Sequence, residues 1–96
     1  MTDSEINLAI ARIEYPNKGV SIISTERAVH VEGLGLKNYC SNWADIGPII
    51  ERERIGLAPL HDRQYRAYCS SGVFAIDKSP TKAAALCYLK TKGVEI

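Results

Sequence analysis

The chain has 96 residues, of which 46% are hydrophobic and 24% are charged, and its formal net charge is +1. This composition is too apolar for a disordered chain and too mixed for a fibrous one, and the length predicts a single domain over residues 1–96. A net charge so close to zero gives no long-range attraction to nucleic acid or to an anionic membrane.

The N-terminus and the cysteines indicate the compartment. No apolar segment approaches the roughly 20 residues of a membrane-spanning helix, and acidic residues stand where a signal peptide carries basic and hydrophobic ones. Cys40, Cys69 and Cys87 are an odd number of cysteines, which favours reduced and mostly buried thiols over a disulfide framework. We therefore expect a cytoplasmic protein that does not enter membranes.

The first element in the chain is predicted to be a helix. Thr2 and Glu5 have the spacing of a capping box, and apolar residues follow at three- and four-residue steps. This pattern predicts an amphipathic helix over residues 3–14, which ends before Pro16.

The next segment is predicted to form a β-hairpin. Residues 20–24 and 28–32 are β-branched or alternating, and polar residues separate them. Residues 33–36 have no clear period, so we expect a loop there.

A second helix is predicted over residues 42–53. Ser41 or Asn42 is suited to cap it, and apolar residues then recur on successive turns. Pro48 removes a backbone hydrogen bond from a helix interior, so we expect either a kink at this residue or a helix that starts afresh with Pro48 in its first turn.

The last third of the chain predicts a second meander and a third helix. Residues 55–60, 65–69 and 73–76 are short strand-like segments separated by polar turns. A helix over residues 80–91 follows, because Ser79 is an N-cap before a proline and strong helix formers continue towards a C-capping glycine.

These elements predict an α+β fold, in which an antiparallel sheet of about five strands packs with two or three helices in a layered sandwich. The predicted core consists of residues on the apolar faces of the elements: Ile6, Ile10, Ile13, Ile22, Val29, Val31, Trp43, Ile46, Ile50, Leu57, Tyr65, Ala67, Phe74, Ala84 and Cys87.

Several short segments keep an order that resembles a known family. They are Ser41-Asn42-Trp43-Ala44, Gly47 to Arg52 with Ile55, Tyr65-Arg66-Ala67, Ser79-Pro80-Thr81, Ala83-Ala84 and Cys87-Tyr88-Leu89. In these residues the chain resembles small phage and prophage proteins of the NinX type and the related phage ABA sandwich domains. The resemblance covers roughly residues 39–96 and the opening residues 2–7. It implies a layered helix-and-sheet domain of phage origin, working in the host-cell cytoplasm, without an established biochemical activity.

The side chains able to do chemistry are dispersed along the chain. The cysteines lack the paired spacings of a zinc site, and the segment Gly33-Leu34-Gly35 lacks the third glycine of a dinucleotide-binding loop. His61 and Asp62 fit a solvated turn better than a catalytic pair. We therefore predict no catalytic residue, no metal site and no cofactor, and expect that the protein is not an enzyme.

One hypothesis for function is binding to nucleic acid through the second meander. Guanidinium groups bind phosphate, and an aromatic ring stacks on a base. The candidate residues are Arg52, Arg54, Arg63, Arg66 and Tyr68. Acidic residues interleave with these arginines, so a solvated face with local ion pairs explains the pattern more simply. We keep nucleic-acid binding as the alternative hypothesis.

The favoured hypothesis is binding to a host protein or protein complex, by analogy with other small phage proteins that lack a catalytic constellation. One version is a counter-defence inhibitor of the anti-CRISPR type, which blocks a nucleic-acid or partner surface of a defence complex. Its candidate residues are acidic side chains that substitute for phosphates: Asp3, Glu5, Glu14, Glu26 and Glu32. A second version is a homodimer formed through an unpaired edge strand, residues 20–24 or 73–76.

Overall fold

The computed structural model describes residues 1–23 and 27–94. Within them the chain forms, in order, α1 (Asp3–Glu14), β1 (Val20–Ile23), β2 (Ala28–Val31), β3 (Gly35–Lys37), α2 (Trp43–Glu53), β4 (Gly56–Pro59), β5 (Tyr65–Tyr68), β6 (Phe74–Asp77) and α3 (Pro80–Thr91). The α+β class is confirmed. The first and third helices have the predicted bounds, and the second begins one residue later than predicted.

Local capping explains where the helices begin. The Glu5 backbone N–H donates to the Thr2 hydroxyl at 3.2 Å, and the Thr2 N–H donates to Glu5 Oε1 at 2.9 Å, which completes the predicted capping box. Asn42 accepts from the Ala44 N–H at 2.9 Å and caps α2. Helix α2 runs through Pro48 as one element, so of the two alternatives the fresh start at Pro48 is wrong.

The first sheet has the strand order β1-β2-β3, and all its neighbours are antiparallel. The loop predicted for residues 33–36 is wrong in its second half, because Gly35 already begins β3 and pairs with Val31. Gly33 has a φ of +79°, a conformation that glycine adopts without steric cost, and the chain therefore reverses directly after β2.

The second sheet has the strand order β4-β5-β6 and is also antiparallel. The Leu60 N–H donates to the Gln64 carbonyl at 2.8 Å and closes the turn between β4 and β5. The prediction of one sheet of about five strands is therefore wrong, since the described residues form two sheets of three strands. Each sheet is a meander of consecutive strands, and α2 separates the two along the chain.

Two of the helices lie against the sheets and against each other. Helix α1 packs on β1 and β2, α3 packs on β5 and β6, and α1 and α3 also contact each other. Helix α2 packs on α3. A helix covered on several sides must be apolar around most of its circumference, and α3 meets this requirement with the buried residues Ala83, Ala84, Ala85, Cys87, Tyr88 and Leu89. Thr81 is also buried, and its hydroxyl donates to the Cys40 carbonyl.

Most of the predicted core lies where it was expected. The buried members are Ile6, Ile10, Val29, Val31, Ile46, Ala67, Ala84 and Cys87. Four others are partly buried and pack against this cluster: Ile13, Ile50, Leu57 and Tyr65.

Three residues predicted for the core are exposed instead. Ile22 lies on β1, an edge strand, and is 44% exposed. Trp43 is the first residue of α2 and is 53% exposed, because a residue at a helix end lacks neighbours on one side. Phe74 is 44% exposed, since the side chains of β6 alternate between faces and Ala75 takes the buried position.

A buried asparagine joins α1 to the segment before α2. Asn7 Oδ1 accepts from the backbone N–H groups of Tyr39 at 2.7 Å and Cys40 at 3.2 Å. Its Nδ2 donates to the Arg27 carbonyl at 2.8 Å and to Asn38 Oδ1 at 3.1 Å. Asn7 is fully buried, and these four hydrogen bonds compensate for its removal from water.

Candidate functional site

The acidic residues considered for protein recognition are largely engaged within the chain itself. Asp3 forms an ion pair with Lys82 at 2.9 Å, and Glu5 belongs to the capping box of α1. Glu14 lies at the opposite end of α1 and pairs with an arginine, whereas Glu32 is exposed. Glu26 lies outside the described residues. Asp3 and Glu14 are thus separated by the length of a helix and do not form one continuous acidic patch.

Glu14 is the centre of a polar cluster that joins the three helices. Both oxygens of its carboxylate accept from Arg52 at 2.8 Å, and Oε2 also accepts from the Tyr88 hydroxyl at 2.5 Å. Arg52 donates in addition to Glu53, which forms an ion pair with Lys92 at 3.3 Å. Hydrogen bonds from Arg52, the larger cause, and from Tyr88 hold the pKa of Glu14 below its ordinary value of 4.5.

This lowered pKa predicts an acid-dependent contribution to stability. A carboxyl group whose pKa is lower in the folded state stabilises the fold above its unfolded pKa, and this stabilisation is lost as the pH falls through the folded value. We expect Glu14→Gln to lower the free energy of unfolding by about 1.5 kcal/mol at pH 7 and to flatten its decline below pH 4.5. Urea denaturation between pH 3 and pH 7 measures both effects. Glu51→Gln, on the exposed face of α2, is the control, and equal acid dependence in the two variants would contradict the assignment.

The structure separates the residues considered for nucleic-acid binding. Arg52 lies on α2 and is held by Glu14 of α1. Arg54 caps the end of α2, and Arg63 lies in the turn between β4 and β5; both have positive φ angles. Only Arg66 and Tyr68 share one face, as the alternation along β5 predicts.

The outer face of the second sheet carries four large exposed side chains: Arg66, Tyr68, Phe74 and Ile76. They form two cross-strand pairs, Arg66 with Ile76 and Tyr68 with Phe74. The guanidinium carbon of Arg66 lies 4.5 Å from the centroid of the Phe74 ring, within the range of a cation–π contact. The three apolar or aromatic members are each 44 to 46% exposed. Because their exposure makes them candidates for contact with another molecule, we call these four residues the binding face.

A shallow cavity adjoins the binding face. Its volume is about 400 Å³, and it is lined by Ala58, Leu60, Arg66, Tyr68, Cys69 and Gly72. The small residues of β4 leave this space, because Gly56 and Ala58 stand opposite Tyr68 and Arg66 in the register. The Tyr68 ring lies over Gly56, where an added β-carbon would approach its Cε2 atom to 2.7 Å. Glycine at this position therefore sets the orientation of the ring.

The packing of Tyr68 on Gly56 predicts a non-additive pair of substitutions. We expect Gly56→Ala to lower the free energy of unfolding by about 1 kcal/mol, because the ring must leave its position. In a Tyr68→Ser background the same change should be neutral or stabilising, by at most about 0.5 kcal/mol, since alanine restricts the unfolded chain. Urea denaturation of the four proteins closes the double-mutant cycle. Equal effects of Gly56→Ala in both backgrounds would show that the ring does not pack on this residue.

Sequence reasoning missed half of the binding face. Phe74 was placed in the core and Ile76 was only considered part of an apolar strand. The signal that identifies them is the period of two along β6, since small Ala75 stands between two large residues. An alanine suits the inner position because α3 lies close to the sheet there and brings its own alanines to the contact.

Across residues 1–23 and 27–94, no three histidine, cysteine or carboxylate side chains come together as metal ligands. His30 and His61 are both exposed, and His30 lies on β2 whereas His61 lies in the turn between β4 and β5. No helix in the described parts of the chain is long and apolar enough to cross a membrane.

Comparison with known proteins identifies the family. No curated protein and no solved structure matches the chain significantly. The family model described as Bacteriophage P22, NinX, matches residues 1–92. The match extends through the first hairpin, which the resemblance noted from the sequence did not include. Because it spans nearly the whole chain, this protein belongs to the NinX family of phage proteins.

Proposed function

We propose that this phage accessory protein acts without catalysis, by binding a host protein through the binding face of its second sheet. The observation that carries the proposal is the concentration of Arg66, Tyr68, Phe74 and Ile76 on a sheet face that no other described element covers. Tyrosine and arginine are enriched among the residues that dominate binding energy at protein interfaces.

The chemistry of the face indicates the kind of partner. Arg66 forms no ion pair within residues 1–23 and 27–94, so its charge is available to a carboxylate. The adjoining cavity, lined largely by apolar side chains, has the size to take one apolar side chain. A surface that presents an apolar side chain next to an acidic one is therefore complementary to this face.

Charge supports a protein partner over nucleic acid. The chain carries a net charge of only +1. Of the four arginines considered for nucleic-acid binding, only Arg66 lies on the binding face. Nucleic-acid binding draws most of its affinity from several phosphate contacts. An aromatic and apolar face with a single central arginine is more typical of a protein interface.

The test compares two matched double variants. Arg66→Ser with Ile76→Ser removes a cross-strand pair from the binding face, and His30→Ser with Leu36→Ser removes the equivalent exposed pair from the first sheet. Both should keep the wild-type melting temperature within a few degrees. With immobilised protein and host lysate, we expect the first variant to lose a captured protein that the wild type and the second variant retain. Retention by the first variant would contradict the proposal.

A plating assay tests the counter-defence version of the same function. Phage that depend on this protein should plate less efficiently with the Arg66→Ser, Ile76→Ser variant on hosts that have the defence system, and equally well on hosts that lack it. An equal loss on both hosts would contradict a role against host defence, while leaving protein binding itself in place.

Nucleic acid remains the second candidate, because Arg66 and Tyr68 share the face and the Lys90 ammonium lies 5.8 Å from the Phe74 ring centroid. Bases stack on exposed aromatic rings, and such binding weakens steeply with salt. A mobility-shift assay with a single-stranded oligonucleotide at low salt decides between the two. No complex at micromolar protein would exclude this candidate.

A further inference from the structure

The fold brings together two cysteines that are far apart in the sequence. Cys69 follows β5 directly, and its backbone N–H donates to the Val73 carbonyl at 3.1 Å. The Cys87 thiol, on α3, lies 3.8 Å from the same carbonyl oxygen. Cys69 continues the alternation of Tyr65 and Ala67, which face α3. The two residues therefore meet at one peptide group, where the end of β5 contacts the helix.

The two thiols have different surroundings. Cys69 is partly exposed, lines the cavity beside the binding face, and has its Sγ 2.8 Å from the Ser71 hydroxyl. Hydrogen bonds from the Ser71 hydroxyl, the largest cause, and from nearby backbone N–H groups lower the pKa of Cys69. Cys87 is buried. This burial, which is the larger cause, and the nearby charge of Cys69 raise the pKa of Cys87 to about 11.

The third cysteine provides an internal comparison. Cys40 is buried, lies 3.8 Å from the Asp3 carbonyl, and has its pKa raised by burial to about 12. Across the described residues the partly exposed, hydrogen-bonded thiol is thus next to a buried second thiol, which is the arrangement of an attacking and a resolving cysteine.

We propose that Cys69 and Cys87 form a peroxide-sensitive thiol pair, in which Cys69 is oxidised first and Cys87 then closes an intramolecular disulfide. This modification site is independent of the proposed binding function, because it rests on the contact between β5 and α3.

The chemistry balances with hydrogen peroxide as the oxidant. The Cys69 thiolate attacks one peroxide oxygen, the O–O bond breaks, and the products are a sulfenic acid on Cys69 and hydroxide, which takes up a proton to become water. The Cys87 sulfur then attacks the Cys69 sulfur, an S–S bond forms, and the hydroxyl group leaves as a second water with the proton of Cys87. The two thiols lose two electrons, and peroxide gains them.

The disulfide would close a loop over the turn after β5, strand β6 and most of α3. Such a cross-link stabilises mainly by restricting the unfolded chain. For a loop of this length in a domain of this size, we expect the melting temperature of the oxidised form to rise by about 10 °C.

The experiment treats the purified full chain with hydrogen peroxide and maps its thiols by mass spectrometry. We expect a loss of about 2 Da, one free cysteine remaining out of three, a peptide that links Cys69 to Cys87, and full reversal by dithiothreitol. In the reduced protein, iodoacetamide should label Cys69 at least about 10-fold faster than Cys87 or Cys40.

Variants supply the controls. Cys40→Ala should still form the cross-link, and Cys87→Ala should instead accumulate a dimedone-reactive sulfenic acid on Cys69. The proposal is overturned if the wild-type chain forms only intermolecular dimers through Cys69, if Cys69 passes to sulfinic acid without linking to Cys87, or if Cys40 reacts first. Because the wild-type map alone decides between these outcomes, a variant that fails to fold does not affect the result.

Discussion

Ala84→Asp is expected to lower the free energy of unfolding by about 4 kcal/mol. Ala84 is fully buried on α3, where the helix packs closely against its neighbours. A carboxylate at this position would lose its water without gaining a partner, and its larger side chain would push the helix away from its contacts. This cost is comparable to the whole stability of many small domains, so the variant should be largely unfolded at 37 °C.

The matched control for this experiment is Ala44→Asp. Ala44 is exposed in the first turn of α2, where a negative charge interacts favourably with the helix dipole. Urea denaturation of both variants should show a change within about 0.5 kcal/mol for Ala44→Asp. An unchanged urea midpoint for Ala84→Asp would contradict the close packing of α3.

Asn7→Ala is expected to cost about 3 to 4 kcal/mol, an effect of similar size but of a different origin. The substitution removes both the acceptor of the Tyr39 and Cys40 N–H groups and the donor to the Arg27 carbonyl. Two of these hydrogen bonds are buried, so the backbone groups lose a partner that water cannot easily replace.

Asn42→Ala is the control for Asn7→Ala, because it makes the same change at an exposed helix cap. The loss of this N-cap should cost only about 1 kcal/mol. Comparison of the two losses in the free energy of unfolding distinguishes the contribution of a buried hydrogen-bond network from that of an exposed helix cap. Similar costs for both would show that the Asn7 network contributes little beyond a single hydrogen bond.

The two proposals fail independently. Loss of the peroxide-driven cross-link would leave the binding face unaffected, since Arg66, Phe74 and Ile76 take no part in the thiol chemistry. Conversely, capture of the same host protein by the wild type and by the Arg66→Ser, Ile76→Ser variant would contradict the binding proposal. That result would not bear on the Cys69–Cys87 chemistry. The two sites are nevertheless adjacent in space, because Cys69 lines the cavity that adjoins the face.

The helices could be predicted from the sequence because their signals are local. The capping box of Thr2 and Glu5, and the Ser79 cap before Pro80, act within one helical turn and set the starts of α1 and α3 whatever the rest of the chain does. Five of the six described strands were also predicted, since alternation and turn residues are short-range features, but β3 was missed because residues 33–36 show no clear period. The family resemblance was confirmed over a longer range than the motifs alone indicated.

The sheet architecture could not be predicted in the same way. Whether six short strands form one sheet or two depends on which faces of α1 and α3 need cover, and this is a property of the packed helices. The exposure of Phe74 has the same cause, because α3 lies on only one face of β6 and small Ala75 fills that side. The sequence of an apolar strand does not by itself indicate which face of the strand a helix covers.

The sequence by itself determined the class of the fold, the helix bounds, most of the core and the membership of a phage family, because each follows from short-range patterns along the chain. Only the tertiary structure decided the partition into two sheets, the burial of Asn7, the exposure of the side chains on the outer face of the second sheet and the proximity of Cys69 to Cys87. These features join residues from elements far apart in the chain, and their proximity is set by the way α1 and α3 pack on the two sheets and on each other. Side-chain chemistry that depends on such contacts has no signature in local spacing.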